Sequence, residues 1–426
     1  MQNFTDVFSN RMQHVRCFQV AVTMAIFFSV QVYAQETDPS SLLLYAARVF
    51  DGNEMHSGLS VLVKDGRIAR IGLRHSFKAG DASTEIDLGD ATLLPGFIEL
   101  HAHLTFQKVP VDIVLRHGVT TVRDVGGPVH QPYGGDGGLR VLTSGQIITA
   151  PHGYPIITMG VRDLAIPVAS EAEAREAVRH LIGEGAVVIK IALEPGGETG
   201  APWSPHHGHA HHDTAHTVQA DSHHHAHAAS HGQSAWPMLS EPIVRAIVDE
   251  AHRHQRKVSA HVAESSGVQV ALNAGVDEWA HMPCDLIPEP LLKQARVQNV
   301  TIIGTLDTLS KCGGIAHNAA IWAELGGELL YGAEIAHPDI PWGIDVQELM
   351  YLMHLAKMKL PDALRAATAK AGQYLGIPLL GTIQPGAPAD LIAIRGNLEQ
   401  QLKRLEYPDL VISGGQVIVN HFGPQQ

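Results

Sequence analysis

Between residues 95 and 375 the chain repeats one pattern. A short apolar run gives way to a stretch with helical periodicity, and then the run recurs. The runs are Phe97–Leu100, Thr120–Val125, Arg140–Thr149, Ala186–Leu193, Lys257–Val262, Glu278–His281, Val300–Leu306 and Leu329–Gly332. Helical patterns lie at Ser170–Ile182, Glu241–Arg256, Ser265–Ala274, Glu289–Val297, Val346–Met358 and Pro361–Leu375. Strands that alternate with helices pair in parallel, because a parallel neighbour needs a crossover too long for a hairpin. Eight such runs match the number that closes a parallel sheet on itself. The expected fold is therefore α/β, a (β/α)8 TIM barrel over residues 95–375.

The flanks read differently. Residues 41–94 and 376–420 hold short strand-like runs with tight turns, among them Asp65-Gly66 and Gly414-Gly415. Two β segments at opposite ends of one chain are expected to meet in a small composite sandwich. No internal repeat is present.

Composition narrows the function. The chain carries 30 Lys+Arg against 43 Asp+Glu, a net charge of −13. Without a basic block it is a poor candidate for nucleic acid, whose phosphates need clustered cations. At the N-terminus, Arg11 and Arg16 precede an apolar run, Phe18–Val32, that ends in Val32-Tyr33-Ala34. This reads as a signal peptide over residues 1–34, cut before Gln35, and predicts a periplasmic or secreted protein with no stable membrane insertion. Cleavage would leave Cys284 and Cys312, whose pairing nothing in the sequence indicates. Histidine is the outlier, at 28 of 426 residues. Eleven fall within His206–His231, inside a Gly-, Pro- and His-rich insertion at 198–237 that lacks apolar periodicity. It reads as a disordered loop able to bind metal loosely.

The other histidines of interest sit at strand ends. His101 and His103 close the first run in Leu93-Leu94-Pro95-Gly96-Phe97-Ile98-Glu99-Leu100-His101-Ala102-His103. Side chains two apart on a strand share a face, so these imidazoles project together. Lys190 lies inside an apolar run, where an unpaired ammonium is expensive. It either pairs with a carboxylate or is chemically altered. His261 and His281 end the fifth and sixth runs. Alone, each would be an ordinary polar residue at a strand end. Together they gather at the carboxyl face, where TIM-barrel active sites lie. His152 and Tyr154 follow the third run and are candidates for substrate contact. Arg123 and Asp124 form either a structural pair under the site or a seat for a substrate carboxylate.

These residues sit in motifs that resemble the amidohydrolase superfamily of metal-dependent hydrolases. The likeness covers nearly the whole chain after residue 34. It rests on PGFIELHAHL, GVTTVRDVGG, Ile189-Lys190, SAHVAE, the His281 run and the tail ALRAATAKAGQYLG…LGTIQPGAPADLIAI. The subgroup it looks most like holds imidazolonepropionase-related peptidases and Xaa-Pro dipeptidases. The resemblance implies two divalent ions, usually zinc. His101 and His103 would bind the first, His261 and His281 the second, and a carboxylated Lys190 would bridge them. The family's eighth strand usually ends Gly-Thr-Asp, the Asp binding metal and accepting the water proton. This chain reads Gly332-Ala333-Glu334. Glu334 has the chemistry for both roles, but its extra methylene adds roughly 1.5 Å, so the loop or rotamer must compensate.

The expected function is an exported amidohydrolase that cuts a carbon–nitrogen bond in a dipeptide, N-acyl amino acid or cyclic amide. A homo-oligomer would be in keeping with such barrels. Two other readings compete. One is a catalytically silent periplasmic zinc-binding protein, suggested by Glu334 and the His-rich insertion. The other is a lactonase or phosphoesterase using the same site.

Overall fold

The computed structural model describes residues 41–78, 80–160, 163–198, 200–203 and 235–423. The signal peptide read at 1–34 and the bulk of the His-rich insertion, 204–234, lie outside the described residues.

The barrel strands are buried on both faces. Val188–Leu193, Phe97–Ala102 and Val119–Asp124 carry no exposed residue. This is the mark of a parallel sheet sandwiched between its own interior and surrounding helices. Val188–Leu193 pairs in parallel with Lys257–Val262, which pairs with Glu278–Trp279, then Thr301–Ile303, then Glu328–Leu330. On the other side Phe97–Ala102 pairs with Val119–Asp124 and that strand with Arg140–Thr143. The segment after Glu328–Leu330 closes the ring. Ala102 bridges Ile335 in parallel, and the His103 amide donates to the Ile335 carbonyl at 3.0 Å. The result is a (β/α)8 barrel.

Its helices begin with local signals. Ser170 caps Glu171–Gly183 by accepting the Glu173 amide, while the Glu173 carboxylate reaches back to the Ala169 amide at 2.7 Å. Asp345 caps Val346–His354 in the same way. Among the described residues, no helix is long and apolar enough to cross a membrane.

Outside the barrel lie two further sheets, one built from residues 42–87 alone and the other from both chain ends. One orders Arg67–Leu73, Leu59–Lys64, Leu42–Tyr45 and Thr84–Asp87. The other orders Gln416–Asn420, Leu410–Ser413, Leu391–Arg395, Ala91–Pro95, Arg48–Phe50 and Met55–Ser57. Leu42 and Leu44 point into a core with Val61, Leu93, Leu391 and Ile412, while Leu43 turns outward onto Leu62 and Phe77.

Three local readings change. The run Arg140–Thr149 is two strands, Arg140–Thr143 and Ile147–Thr149, which pair with different neighbours. Gly145 breaks it: its φ is 67°, and a Cβ there would come 2.7 Å from Leu181 Cδ2. The stretch Pro361–Leu375 divides into Leu360–Ala366 and Ala369–Tyr374. Thr368 leaves the helical region there, its hydroxyl donating to the Leu364 carbonyl at 2.7 Å. Helix Ile315–Glu324 has no clear stripe in sequence, because most of its residues are apolar or small.

Candidate metal centre

The barrel register sets the floor of the site. Ser259 lies opposite Lys190 on one side and Glu278 on the other. Arg123 reaches Glu278 with both guanidinium nitrogens, at 2.8 and 2.7 Å, and Ser259 and Tyr374 donate to the same carboxylate at 2.6 and 2.7 Å. Burial would raise the Glu278 pKa, but the Arg123 charge wins and holds it below the ordinary value. Arg123 is thus structural, though its partner is Glu278. Asp124 instead accepts the Leu104 and Thr105 amides, each at 3.0 Å, and fixes the turn that follows His103.

Above this floor the histidines converge. The rings of His101 and His103 are 5.2 Å apart, those of His101 and His281 4.5 Å, and those of His261 and His281 4.7 Å. His101 Nδ1 bonds the Ala280 carbonyl at 2.8 Å, and His281 Nδ1 bonds Thr305 Oγ1 at 2.9 Å. Each such bond orients its ring. Burial pushes His101 and His281 well below the usual histidine value and His261 down to about 3, so all three are neutral. A neutral imidazole is the form that binds metal.

Glu334 joins them through an unusual backbone. Its φ is 68°, in the left-handed region, and Ala336 follows at 95°. This turn brings the carboxylate within 3.7 Å of His103 Nε2 and 4.0 Å of His281 Nδ1. Glu99, unnoticed in the sequence, anchors the turn. It accepts the Ala333 amide at 2.9 Å and the His101 amide at 2.7 Å, tying the two segments together. Burial raises the Glu334 pKa, but the neighbouring His103 imidazole brings it below the ordinary value.

Four side-chain atoms at this centre are buried without a partner: His101 Nε2, His103 Nδ1, Lys190 Nζ and Glu334 Oε2. One ligand atom each from His101, His103 and Glu334 lies within 4.8 Å of the others. Orphaned polar atoms are costly, and a divalent cation would satisfy them. The residues fit the group.

Tyr154 packs its ring 4.6 Å from His261, as Trp203 does at 4.4 Å. His152 is exposed and stands outside this buried group. The sequence reading missed Glu194 and Glu198, which lie just beyond the Lys190 strand. Glu194 Oε2 is 3.2 Å from His261 Nε2, and the Trp203 indole donates to Glu198 at 3.3 Å. Burial pushes Glu194 up to about 7 and Glu198 up to about 8, the latter with help from Glu194. Strand periodicity was the available signal, since residues 190, 192 and 194 share a face.

Known proteins share this architecture. Residues 339–418 match the amidohydrolase family. The crystal structure of Aspergillus niger ochratoxinase superposes with a TM-score of 0.68 at 19% identity, covering 91% of this chain and 98% of that one. A Xaa-Pro dipeptidase with bound methionine superposes at 0.67 and 22% identity, covering 89% of this chain and 99% of that one. The superpositions show a shared fold, and the family match is confined to residues 339–418. In sequence, the chain is 26% identical to A. niger ochratoxinase over 288 residues, 64% of the chain. The match spans about half (53%) of that relative's length.

Proposed function

We propose that this protein is a member of the amidohydrolase superfamily, an exported, metal-dependent hydrolase that cuts a carbon–nitrogen bond in a small substrate. One observation carries the reading: the partnerless buried atoms of His101, His103, Lys190 and Glu334 belong to one group of side chains at the carboxyl ends of the barrel strands. The names of the similar proteins, an ochratoxinase and a Xaa-Pro dipeptidase, support an amide or peptide substrate.

In this reading His101 and His103 would hold one divalent ion, His261 and His281 would hold a second, and Lys190, once carboxylated, would be a ligand shared by both, with zinc the expected metal. Such ions, when bound, lower the pKa of a water and polarise an amide carbonyl. The protein does the rest. Burial pushes the Lys190 amine down to about 7, so near neutral pH much of it is uncharged and able to add carbon dioxide, losing one proton as the carbamate forms. Glu334 is ionised at that pH and is the general base. It takes the proton of the attacking water and returns it to the leaving nitrogen. Tyr154 and Trp203, whose ring centroids are 6.0 Å apart, wall the chamber and keep bulk water from the reacting groups. The disulfide between Cys284 and Cys312 supports export, because such bonds persist in oxidising compartments.

The test uses protein lacking residues 204–233, which removes loose metal binding by the His-rich insertion. Purified without chelators, it should carry about two zinc per chain and hydrolyse members of a broad amide panel. His101→Asn should abolish both. Intact metal without turnover would sink the hydrolase reading, and one ion or none would sink the binuclear one.

A further inference from the structure

Glu194 and Glu198 are each 1% exposed, and they lie close enough for Glu194 to help raise the Glu198 pKa. Among the described residues neither pairs with a lysine or arginine. Glu194 Oε1 accepts the Gly196 amide at 2.8 Å, and its Oε2 faces His261. Glu198 Oε2 takes the Trp203 indole, and its Oε1 is buried with no partner. Glu264 and Asp285 lie close enough to add further negative potential at Glu194. Aromatic rings gather around His261, the pair's neighbour, and Trp203 turns its indole N–H to Glu198. Trp203 and Tyr154 both pack on His261, and Trp236 stacks on Tyr154 at 6.1 Å.

Two buried carboxyl groups side by side are expensive unless positive charge arrives from outside. Carboxylates beside aromatic faces favour an organic cation, because the ring quadrupole attracts it without needing a vacant ligand position. The seat also has a fixed place. It touches His261, one of the residues proposed to hold a metal ion that polarises the reacting carbonyl. In a peptide with a free amino terminus, the ammonium nitrogen lies roughly 2.5 Å from the scissile carbonyl carbon. A side-chain ammonium would be several bonds farther away.

We infer that Glu194 and Glu198, walled by Tyr154 and Trp203, form the seat for the substrate's α-ammonium group, so that the site selects dipeptides with a free amino terminus over N-acyl amino acids. This rests on the hydrolase reading and names its substrate class.

The experiment measures binding and turnover separately. The probes are the phosphinic analogue of alanyl-alanine and its N-acetyl form, titrated calorimetrically into the zinc-loaded protein. Turnover is followed on dipeptides and the same dipeptides N-acetylated. The free-amine analogue should bind tighter by about tenfold or more. Glu198→Gln keeps the shape and removes the charge, and it should erase that preference while metal content stays constant. Equal affinity of the wild type for the two analogues overturns the inference without needing any variant. A preference that survives Glu198→Gln overturns it too, as does loss of an ion in that variant, which would make Glu198 a metal ligand. Binding preference without turnover of any dipeptide upholds the seat and sinks the hydrolase reading. Turnover without preference does the reverse.

Discussion

Glu278 and Glu198 are both buried carboxylates in the same barrel, and their surroundings treat them oppositely. Glu278 has both oxygens engaged, by Arg123, Ser259 and Tyr374, and its pKa is held down. Glu198 shares its site with another acid, keeps one oxygen orphaned, and is pushed up to about 8. The floor of the barrel satisfies its charge locally. The wall of the site does not. A group satisfied from within holds the fold together, whereas an unsatisfied one stores an interaction for something that arrives later.

The two regions should therefore fail in different ways. The largest effect belongs to the site. Glu334→Gln removes the proposed base and should lower kcat/KM by about a thousandfold, with urea stability nearly unchanged. A comparable loss of stability would make Glu334 part of the floor and collapse the distinction. Arg123→Met is the converse. It strands Glu278 as an unpaired buried charge and should cost about 3–5 kcal/mol in urea unfolding. A variant of wild-type stability that merely turned over slowly would mean Arg123 belongs to the site.

The rim offers a third comparison. Cys284 follows the His281 strand, and Cys312 follows the next one, 28 residues on. Replacing both with Ser should remove about 2–4 kcal/mol, measured by unfolding with and without reductant. Zinc content should persist, because His281 is oriented by Thr305 and not by the disulfide. Loss of metal together with the disulfide would make the rim part of the site.

Legibility followed the same division. Strand-ending histidines could be read because period-two alternation and strand order place them without any knowledge of loops. That is why His101, His103, His261, His281 and Lys190 gather as a group. Glu334 was legible as a residue, but its left-handed backbone was not, since φ at a non-glycine position is imposed by the surrounding fold. Glu99 was hidden inside an apolar run, where its role depends on the Ala333 amide, 234 residues away. Glu194 and Glu198 were hidden by composition, because the Gly- and Pro-rich stretch around them reads as loop. The Cys284–Cys312 bond was illegible for a different reason: separation along the chain says nothing about distance across neighbouring strands.

The smallest predicted effect concerns a third set of buried acids. Glu348 and Asp345 are both buried beside Asp307. Glu348 Oε2 accepts the Asp307 amide at 2.9 Å, and its Oε1 is orphaned. Burial raises Glu348 well above the ordinary value, and burial with the Asp307 charge raises Asp345 to about 7. Their folded-state pKa values exceed the unfolded ones, so the native state holds more protons. The stability they contribute is complete below about pH 4 and fades as pH rises through about 7. Glu278 runs the other way. Its pKa is depressed, so its contribution is present above the ordinary carboxylate value and fades as pH falls through the folded one. Melting temperature should therefore peak near mildly acid pH, about 5, and decline toward about 8. Glu348→Gln removes one raised group and should recover stability at the alkaline end, flattening the decline there while leaving the acid limb in place. A pH profile that stayed parallel to wild type would show that Glu348 is satisfied like Glu278, and this third set would then belong with the floor.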